Sequence, residues 1–233
     1  MLIFLALLPT LLLLLLFYLK DKYEKEPIKT LLKVFGIGML TILPVLALEL
    51  WLIKIKPNGP QLWDAFYMAV IVAGFSEEII KYVSLRFYIW KNVDFNEMYD
   101  GIIYGVFLSL GFATVENVLY VVEGGMSTAL MRILTAVPAH ALFGTVMGYY
   151  LGKAKFLPHS KTKHLFYAWF TPVLLHGVYD FIIMVGYSIL TLLLVPFMIY
   201  LWRRGLKHTA ELIVQSPFRR RRNSIVSNVS EDQ

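Results

Sequence analysis

The sequence predicts an all-α fold: a polytopic transmembrane helix bundle of about seven helices, with the N-terminus outside and the C-terminus cytoplasmic. Three observations lead to this prediction. Of the 233 residues, 58% are hydrophobic and only 16% are charged, whereas soluble domains carry about 25% charged residues. The apolar residues form runs long enough to cross a bilayer, and the basic residues gather in alternate connections between these runs.

A spanning helix needs about 20 apolar residues, and six runs qualify. The sixth run is far longer than one crossing of about 30 Å requires at about 1.5 Å per residue, and Gly186 to Ser188 offers a turn that divides it. We therefore expect seven helices. The six runs are Leu2–Leu19, Leu31–Ile53, Phe66–Trp90, Gly101–Val122, Thr128–Leu151 and Leu165–Trp202.

The distribution of Lys and Arg predicts the orientation. With the N-terminus outside, 18 of the 22 basic residues fall in cytoplasmic segments, as membrane proteins prefer. An even number of helices would place the basic C-terminal segment outside. The first run is interpreted as a spanning helix and not a cleaved signal peptide, because basic residues follow it instead of preceding it.

Composition also limits the domain organisation and the partners. The chain has no cysteine, which excludes disulfides and thiolate metal ligands. We expect one integral membrane domain at residues 1–207, with its motif-bearing core at about 62–185, and a basic, disordered cytoplasmic tail at 208–233. The net charge of +6 is assigned to orientation and to contact of Arg219–Arg222 with anionic lipid, and no nucleic acid partner is expected.

Charged residues deep in the predicted helices point to a functional site. If unpaired, five such charges would cost on the order of 12 to 18 kcal/mol at about 2.5 to 3.5 kcal/mol each, which rivals the whole stability of a typical domain. They must therefore pair, take up protons or line a hydrated cavity. The charged residues are Glu77, Glu78, Lys81, Glu116 and Asp180, and two histidines, His140 and His176, accompany them.

The spacing of these residues suggests that they share one site. Glu77 and Lys81 lie four residues apart, as do His176 and Asp180, so each pair can meet on one helix face. His140 lies on a stripe of small residues that continues through Gly144, Gly148 and Gly152. Taken singly, these features also fit a structural ion pair, helix packing or an interhelical hydrogen bond. Their presence on four successive helices favours a functional site.

Two charged residues near helix ends, Glu49 and Arg132, are not assigned to this site. Glu49 and Arg132 are expected to extend their charged groups towards the membrane surface.

The set suits hydrolysis of a peptide bond. Adjacent glutamates in a low-dielectric setting can supply a base beside an acid, with the charge of Lys81 selecting between them. We expect His140, His176 and Asn117 to position water or polarise the carbonyl group. Glu116 and Asp180 can orient the two histidines.

Other mechanisms and functions remain open at this point. The HExxH helix of common zinc proteases and the GxGD motif are absent. Zinc could still be bound by His140, His176 and Glu116, with one coordination position open; the cofactor is left unknown, with a metal-free glutamate mechanism slightly favoured. A proton-coupled transporter or channel is the main alternative, and a non-catalytic scaffold is a third.

The motifs resemble those of the PrsW family of bacterial intramembrane proteases. They are Glu77-Glu78-x-x-Lys81, Phe112-x-x-x-Glu116-Asn117, His140 and His176-x-x-x-Asp180, in order between residues 62 and 183. The chain is more distantly similar to the CAAX-processing and bacteriocin-immunity protease superfamily. It departs from that superfamily in having Glu116 for a histidine and Lys81 for a later arginine.

The resemblance implies a multi-pass peptidase of the bacterial cell membrane. It would make the first cut in a single-pass anti-sigma factor, on or near the extracytoplasmic side, leading to release of a sigma factor under envelope stress. The resemblance implies that Glu77, Glu78 and His176 are essential, followed by His140 and Glu116. Expected partners are this substrate and membrane lipid.

Overall fold

The computed structural model describes residues 2–219, and in that range it contains helices but no strands. The all-α prediction is therefore confirmed. Between Leu2 and Gln215, ten α-helices, one π-helix and one short 3₁₀ helix follow one another. They are α1 (Leu2–Lys20), α2 (Ile28–Leu40), α3 (Ile42–Lys54), α4 (Gln61–Phe66), the π-helix (Tyr67–Phe75), α5 (Ser76–Ile89), α6 (Met98–Leu134), α7 (Ala136–Phe156), the 3₁₀ helix (Pro158–Ser160), α8 (Lys161–Met184), α9 (Ser188–Thr191) and α10 (Leu194–Gln215).

The lengths of these helices agree with a multi-pass membrane protein. Five stretches are long and apolar enough to span a bilayer: Leu2–Lys20, Ile28–Lys54, Met98–Phe156, Pro158–Met184 and Ile189–Gln215. The third stretch contains both α6 and α7. The continuous helical segment 61–89 has the length of a crossing but carries the charged residues Glu77, Glu78 and Lys81. Together these segments correspond to the seven predicted crossings.

The connection between α6 and α7 differs from the prediction. Gly125 has φ +68° and ψ −153°, a conformation that glycine adopts readily and other residues rarely do. Arg132 binds the side chain of Glu116, although 16 residues of straight helix would separate them by about 24 Å. The chain therefore folds back after Gly125. The predicted span from Thr128 was wrong in its start, because residues 126–134 belong to this returning segment and α7 begins at Ala136.

Helix α6 forms the centre of the bundle, and its residues 99–114 are all buried. Helices α1, α2 and α7 pack against it. The α6–α7 contact depends on glycines: a Cβ placed on Gly148 would lie 2.0 Å from the carbonyl oxygen of Gly101, and one on Gly144 would lie 2.5 Å from that of Gly105. This close approach explains the stripe of small residues at Ala136, Gly144, Gly148 and Gly152, on which His140 lies.

Substitution of Gly148 tests this packing. A Gly148→Ala change is expected to lower the thermal unfolding midpoint, because the added methyl group meets backbone atoms and overpacking costs about 1–3 kcal/mol. The matched control is Gly36→Ala on α2, where an added Cβ meets nothing within 4 Å. Equal midpoints for the two variants in detergent would contradict the close α6–α7 contact.

The C-terminal helix extends further than the sequence suggested. Residues 208–215, which the sequence analysis assigns to the tail, continue α10 to Gln215. His208 stacks on Tyr149 with ring centroids 3.9 Å apart, and Lys153 binds Glu211 at 2.7 Å, so these contacts hold the helix against α7. Residues 220–233, including most of the predicted lipid-binding arginines, lie outside the described residues.

Candidate active site

The two glutamates lie where the π-helix passes into α5. Single π-helical segments are rare and often mark functional sites; here the hydroxyl of Ser76 donates to the carbonyl oxygen of Val72 at the junction. The π-helix crosses α8 closely, because a Cβ on Gly74 would lie 3.0 Å from the backbone nitrogen of Gly177. This crossing brings His176, the neighbour of Gly177, against the glutamates.

Lys81 lies at the centre of the cluster. Its Nζ donates to Glu77 Oε2 and Glu78 Oε1 at 2.9 Å each and lies 3.3 Å from His140 Nδ1. It also lies 3.9 Å from the centre of the Phe112 ring. Lys81 and Glu78 are completely buried. The expected Glu77–Lys81 contact is therefore present, and Glu78 and His140 share the same ammonium group.

His140 contacts Glu116, and Arg132 in turn binds Glu116. Its Nε2 lies 2.8 Å from Glu116 Oε2, and a carboxylate can only accept, so the ring proton lies on Nε2. Arg132 Nη2 donates to the same oxygen at 2.7 Å. Since Nε2 carries the proton in this tautomer, His140 Nδ1 presents its lone pair to the Lys81 side of the cluster.

His176 connects the glutamates to Asp180. Its Nδ1 lies 3.0 Å from Glu78 Oε1 and 3.8 Å from Glu77 Oε2, and its Nε2 lies 3.2 Å from Asp180 Oδ2. Both ring nitrogens thus face carboxylate oxygens, and the doubly protonated imidazolium satisfies both contacts. Phe143, one turn after His140, stacks on this ring with centroids 4.9 Å apart. The contact expected between His176 and Asp180 is present.

A cavity of about 530 Å³ reaches the cluster. Its walls include Glu77, His140 and His176, whereas Glu78 and Lys81 lie behind them and do not line it. The cavity lies at the end of the bundle where α7 begins and α8 ends, beside the segment that carries Arg132. Glu77 is therefore the glutamate in contact with the cavity, and Glu78 is enclosed by protein.

The donor set is chemically suited to a metal ion. Glu77, Glu78, His140 and His176 each place a ligand atom within 4.8 Å of the others, and two imidazoles with two carboxylates are typical zinc ligands. Glu78 Oε2 is buried without a hydrogen-bond partner in the described part of the chain, as expected where a cation could still bind. The predicted zinc ligand Glu116 is not in this group, because it occupies the opposite ring nitrogen of His140.

Three residues have roles that the sequence did not indicate. Asn117 was expected to position water, but its amide donates to Ala6 O at 2.8 Å and accepts from Arg132 at 2.8 Å, so it connects α1 to the returning segment. Arg132 binds Glu116 instead of extending towards the membrane surface. Glu49 lines the cavity. No local sequence signal predicts the positions of Arg132 and Glu49, because both depend on how distant helices cross.

Comparison with known proteins decides the family. Residues 26–202 match a family described as "PrsW family intramembrane metalloprotease". This chain belongs to the PrsW family. Among its relatives is Protease PrsW of Halalkalibacterium halodurans, 42% identical over 197 residues, which cover 84% of this chain and 90% of the relative. No solved structure matches the chain.

Further PrsW relatives agree with this assignment. Protease PrsW of Bacillus subtilis is 40% identical over 82% of this chain and 86% of its own, and that of Clostridioides difficile is 39% identical over 80% and 81%. The predicted family is therefore confirmed. Membership of the PrsW family, together with the apolar helices, makes the chain an intramembrane protease and a multi-pass protein of the bacterial membrane that acts on membrane protein substrates.

Proposed function

We propose that the chain hydrolyses a peptide bond of a single-pass membrane protein at the cluster of Glu77, Glu78, His140 and His176. The observation that supports this most is the clustering of all four side chains, three of which, Glu77, His140 and His176, line one cavity. If the basic residues set the predicted orientation, this cavity opens towards the extracytoplasmic side. An anti-sigma factor cut there first, leading to sigma-factor release under envelope stress, is the proposed substrate and consequence.

Glu77 is the proposed general base, because it is the glutamate that lines the cavity. It accepts a proton from a water molecule whose oxygen attacks the carbonyl carbon of the substrate. The ammonium group of Lys81, 2.9 Å from Glu77, favours the ionised form of this carboxylate, which then takes the proton. Glu78 holds both Lys81 and His176 and acts by positioning them.

His176 is the proposed acid. Its imidazolium donates a proton to the nitrogen that leaves as the carbon–nitrogen bond breaks, and the proton held by Glu77 then returns to His176 across the 3.8 Å between Oε2 and Nδ1. Asp180 and Phe143 fix the ring in place for both transfers. Protons therefore balance over the cycle, and the net reaction consumes one water.

The family description also names a metal. Glu77, Glu78, His140 and His176 would hold it, and it would supply a Lewis acid for the carbonyl oxygen and for water. In the geometry described above, Lys81 Nζ contacts three of these four residues, Glu77, Glu78 and His140. In the metal-free mechanism that we propose, the charge of Lys81 acts on the carboxylates of Glu77 and Glu78.

The proposed biological function can be tested in a bacterial host that expresses this chain. Membrane proteomes of cells with and without the chain are compared for single-pass proteins that accumulate intact in its absence. The proposal predicts that a single-pass anti-sigma factor accumulates and that its sigma-dependent transcripts fall. If no single-pass protein changes under envelope stress, the proposed substrate class is wrong.

Arg132 should act on the reaction through Glu116. An Arg132→Gln change removes the charge that holds Glu116 and is expected to lower kcat by about 10- to 100-fold, the range known for outer partners of metal-binding histidines. Arg132→Lys should recover part of the activity because the charge is kept. A His140 nitrogen resonance that does not move in Arg132→Gln would contradict this role.

A further inference from the structure

Glu49 lies in the wall of the cavity and has no counterion among the described residues. It is the one charged residue between Thr41 and Ile53, and it makes no hydrogen bond or ion pair with any described residue. It lies on the same helix stripe as Ile42, Val45 and Leu46, and all four line the cavity. Glu49 is therefore held facing the cavity by the packing of α3.

The other charges around the cavity do not neutralise Glu49. Arg132 is the one Lys or Arg among the described cavity-lining residues, and its guanidinium already binds Glu116 and Asn117. Glu123, also in the wall, has no hydrogen-bond or ion-pair partner in the described chain either. The nearby carboxylates of Glu77 and Glu116 repel Glu49, and His176 and Lys81 attract it less strongly. The wall of the cavity thus carries excess negative charge.

The apolar part of the same wall is suited to a transmembrane segment. Leu46 is 41% exposed and Met131 is 56% exposed, and both line the cavity together with Leu119 and Ile183. An apolar substrate segment can contact these side chains while a basic side chain next to it reaches Glu49. A carboxylate in such a low-dielectric setting binds a cation more strongly than one in water.

We propose that Glu49 is a specificity-determining residue that binds a Lys or Arg flanking the cleaved segment of the substrate. This inference rests on the proposed function. Such a contact would let the enzyme select among membrane proteins. The extracytoplasmic flanks of membrane proteins are poor in Lys and Arg, so few of them carry a basic residue at this position. Glu123, which also lines the cavity, would attract the same basic side chain.

A panel of matched substrates tests the proposal. A single-pass peptide is prepared with Lys, Gln or Glu at successive positions of one flank and is incubated with the full chain in nanodiscs of uncharged lipid. At the best position we expect the wild type to prefer Lys over Glu by about tenfold in kcat/KM, mostly through KM. Glu49→Gln should remove this preference, and Glu49→Lys should reverse it.

The control variant is Asp64→Asn, which removes a carboxylate on α4 that is paired with Lys56 and does not line the cavity; it should keep the preference. Thermal unfolding confirms that each variant is folded.

If the preference persists in Glu49→Gln, or if the wild type has none, the role of Glu49 is overturned while the protease proposal stands. If the wild type cuts no member of the panel, the proposed function itself is contradicted, and Glu49 with it. A lipid amine bound at Glu49 would leave no dependence on substrate charge.

Discussion

Replacing His176 with Asn is expected to lower cleavage by about 10³-fold, within the range that loss of a general acid or base produces. His176 is the one side chain that contacts Glu78 on one ring nitrogen and Asp180 on the other, and it lines the cavity. Asn keeps a polar group of similar reach but cannot carry a proton to the leaving nitrogen. The measurement is the initial rate of substrate loss with purified protein in lipid.

The neighbour Asp180 provides the comparison for this prediction. Asp180→Asn keeps the ring of His176 in place but removes a charge, and we expect a smaller loss of about 10- to 100-fold with a shifted pH profile of kcat. The pH profile separates an effect on proton transfer from a purely structural one. If His176→Asn keeps more than a tenth of wild-type activity, His176 is not the acid.

Lys81 should be the residue whose loss most destabilises the protein. Lys81→Met leaves Glu77 and Glu78 as adjacent buried carboxylates without the ammonium group that both bind. Breaking a buried ion pair by removing one partner costs about 3–5 kcal/mol, so the thermal unfolding midpoint should fall strongly and cleavage should be lost. The measurement is unfolding in detergent, monitored by circular dichroism.

A second lysine gives the matched control. Lys56 pairs with Asp64, but this pair is partly exposed to solvent, and such pairs contribute about 0–1 kcal/mol. Lys56→Met should therefore change the midpoint little. Comparable midpoints for the two variants would show that Lys81 is not the central cation of the cluster.

Added zinc should distinguish the Lys81→Met variant from the wild type. With the ammonium group of Lys81 absent, the same four donors are free to bind a divalent cation, and a ligand that binds only the folded state raises its stability. Added zinc is thus expected to raise the unfolding midpoint of Lys81→Met more than that of the wild type. An equal rise in both proteins would show that lysine and metal do not compete for these donors.

Sequence reasoning worked where contacts are local. Glu77 with Lys81, and His176 with Asp180, are four residues apart, and helix geometry alone brings such residues together. One expectation went beyond local spacing: acidic residues in the membrane need partners, so Glu116 was expected to orient a histidine, and it contacts His140 across two helices.

Contacts between residues distant in the sequence were harder to predict. Arg132 reaches Glu116 only because the chain reverses at Gly125. The cavity position of Glu49 depends on the packing of α3, and Glu116 was placed among possible metal ligands because a sequence does not show which ring nitrogen of His140 it binds. These features arise from the crossing of helices, which local spacing does not determine.

The most direct test of the account uses the full chain, purified and reconstituted with a single-pass substrate, and identifies the products by mass spectrometry. The wild type should yield two fragments from one cut, and the Glu77→Gln, Glu78→Gln double variant, folded and inserted like the wild type, should yield none. Fragments formed by the double variant at the wild-type rate would contradict a hydrolytic site built on these two glutamates.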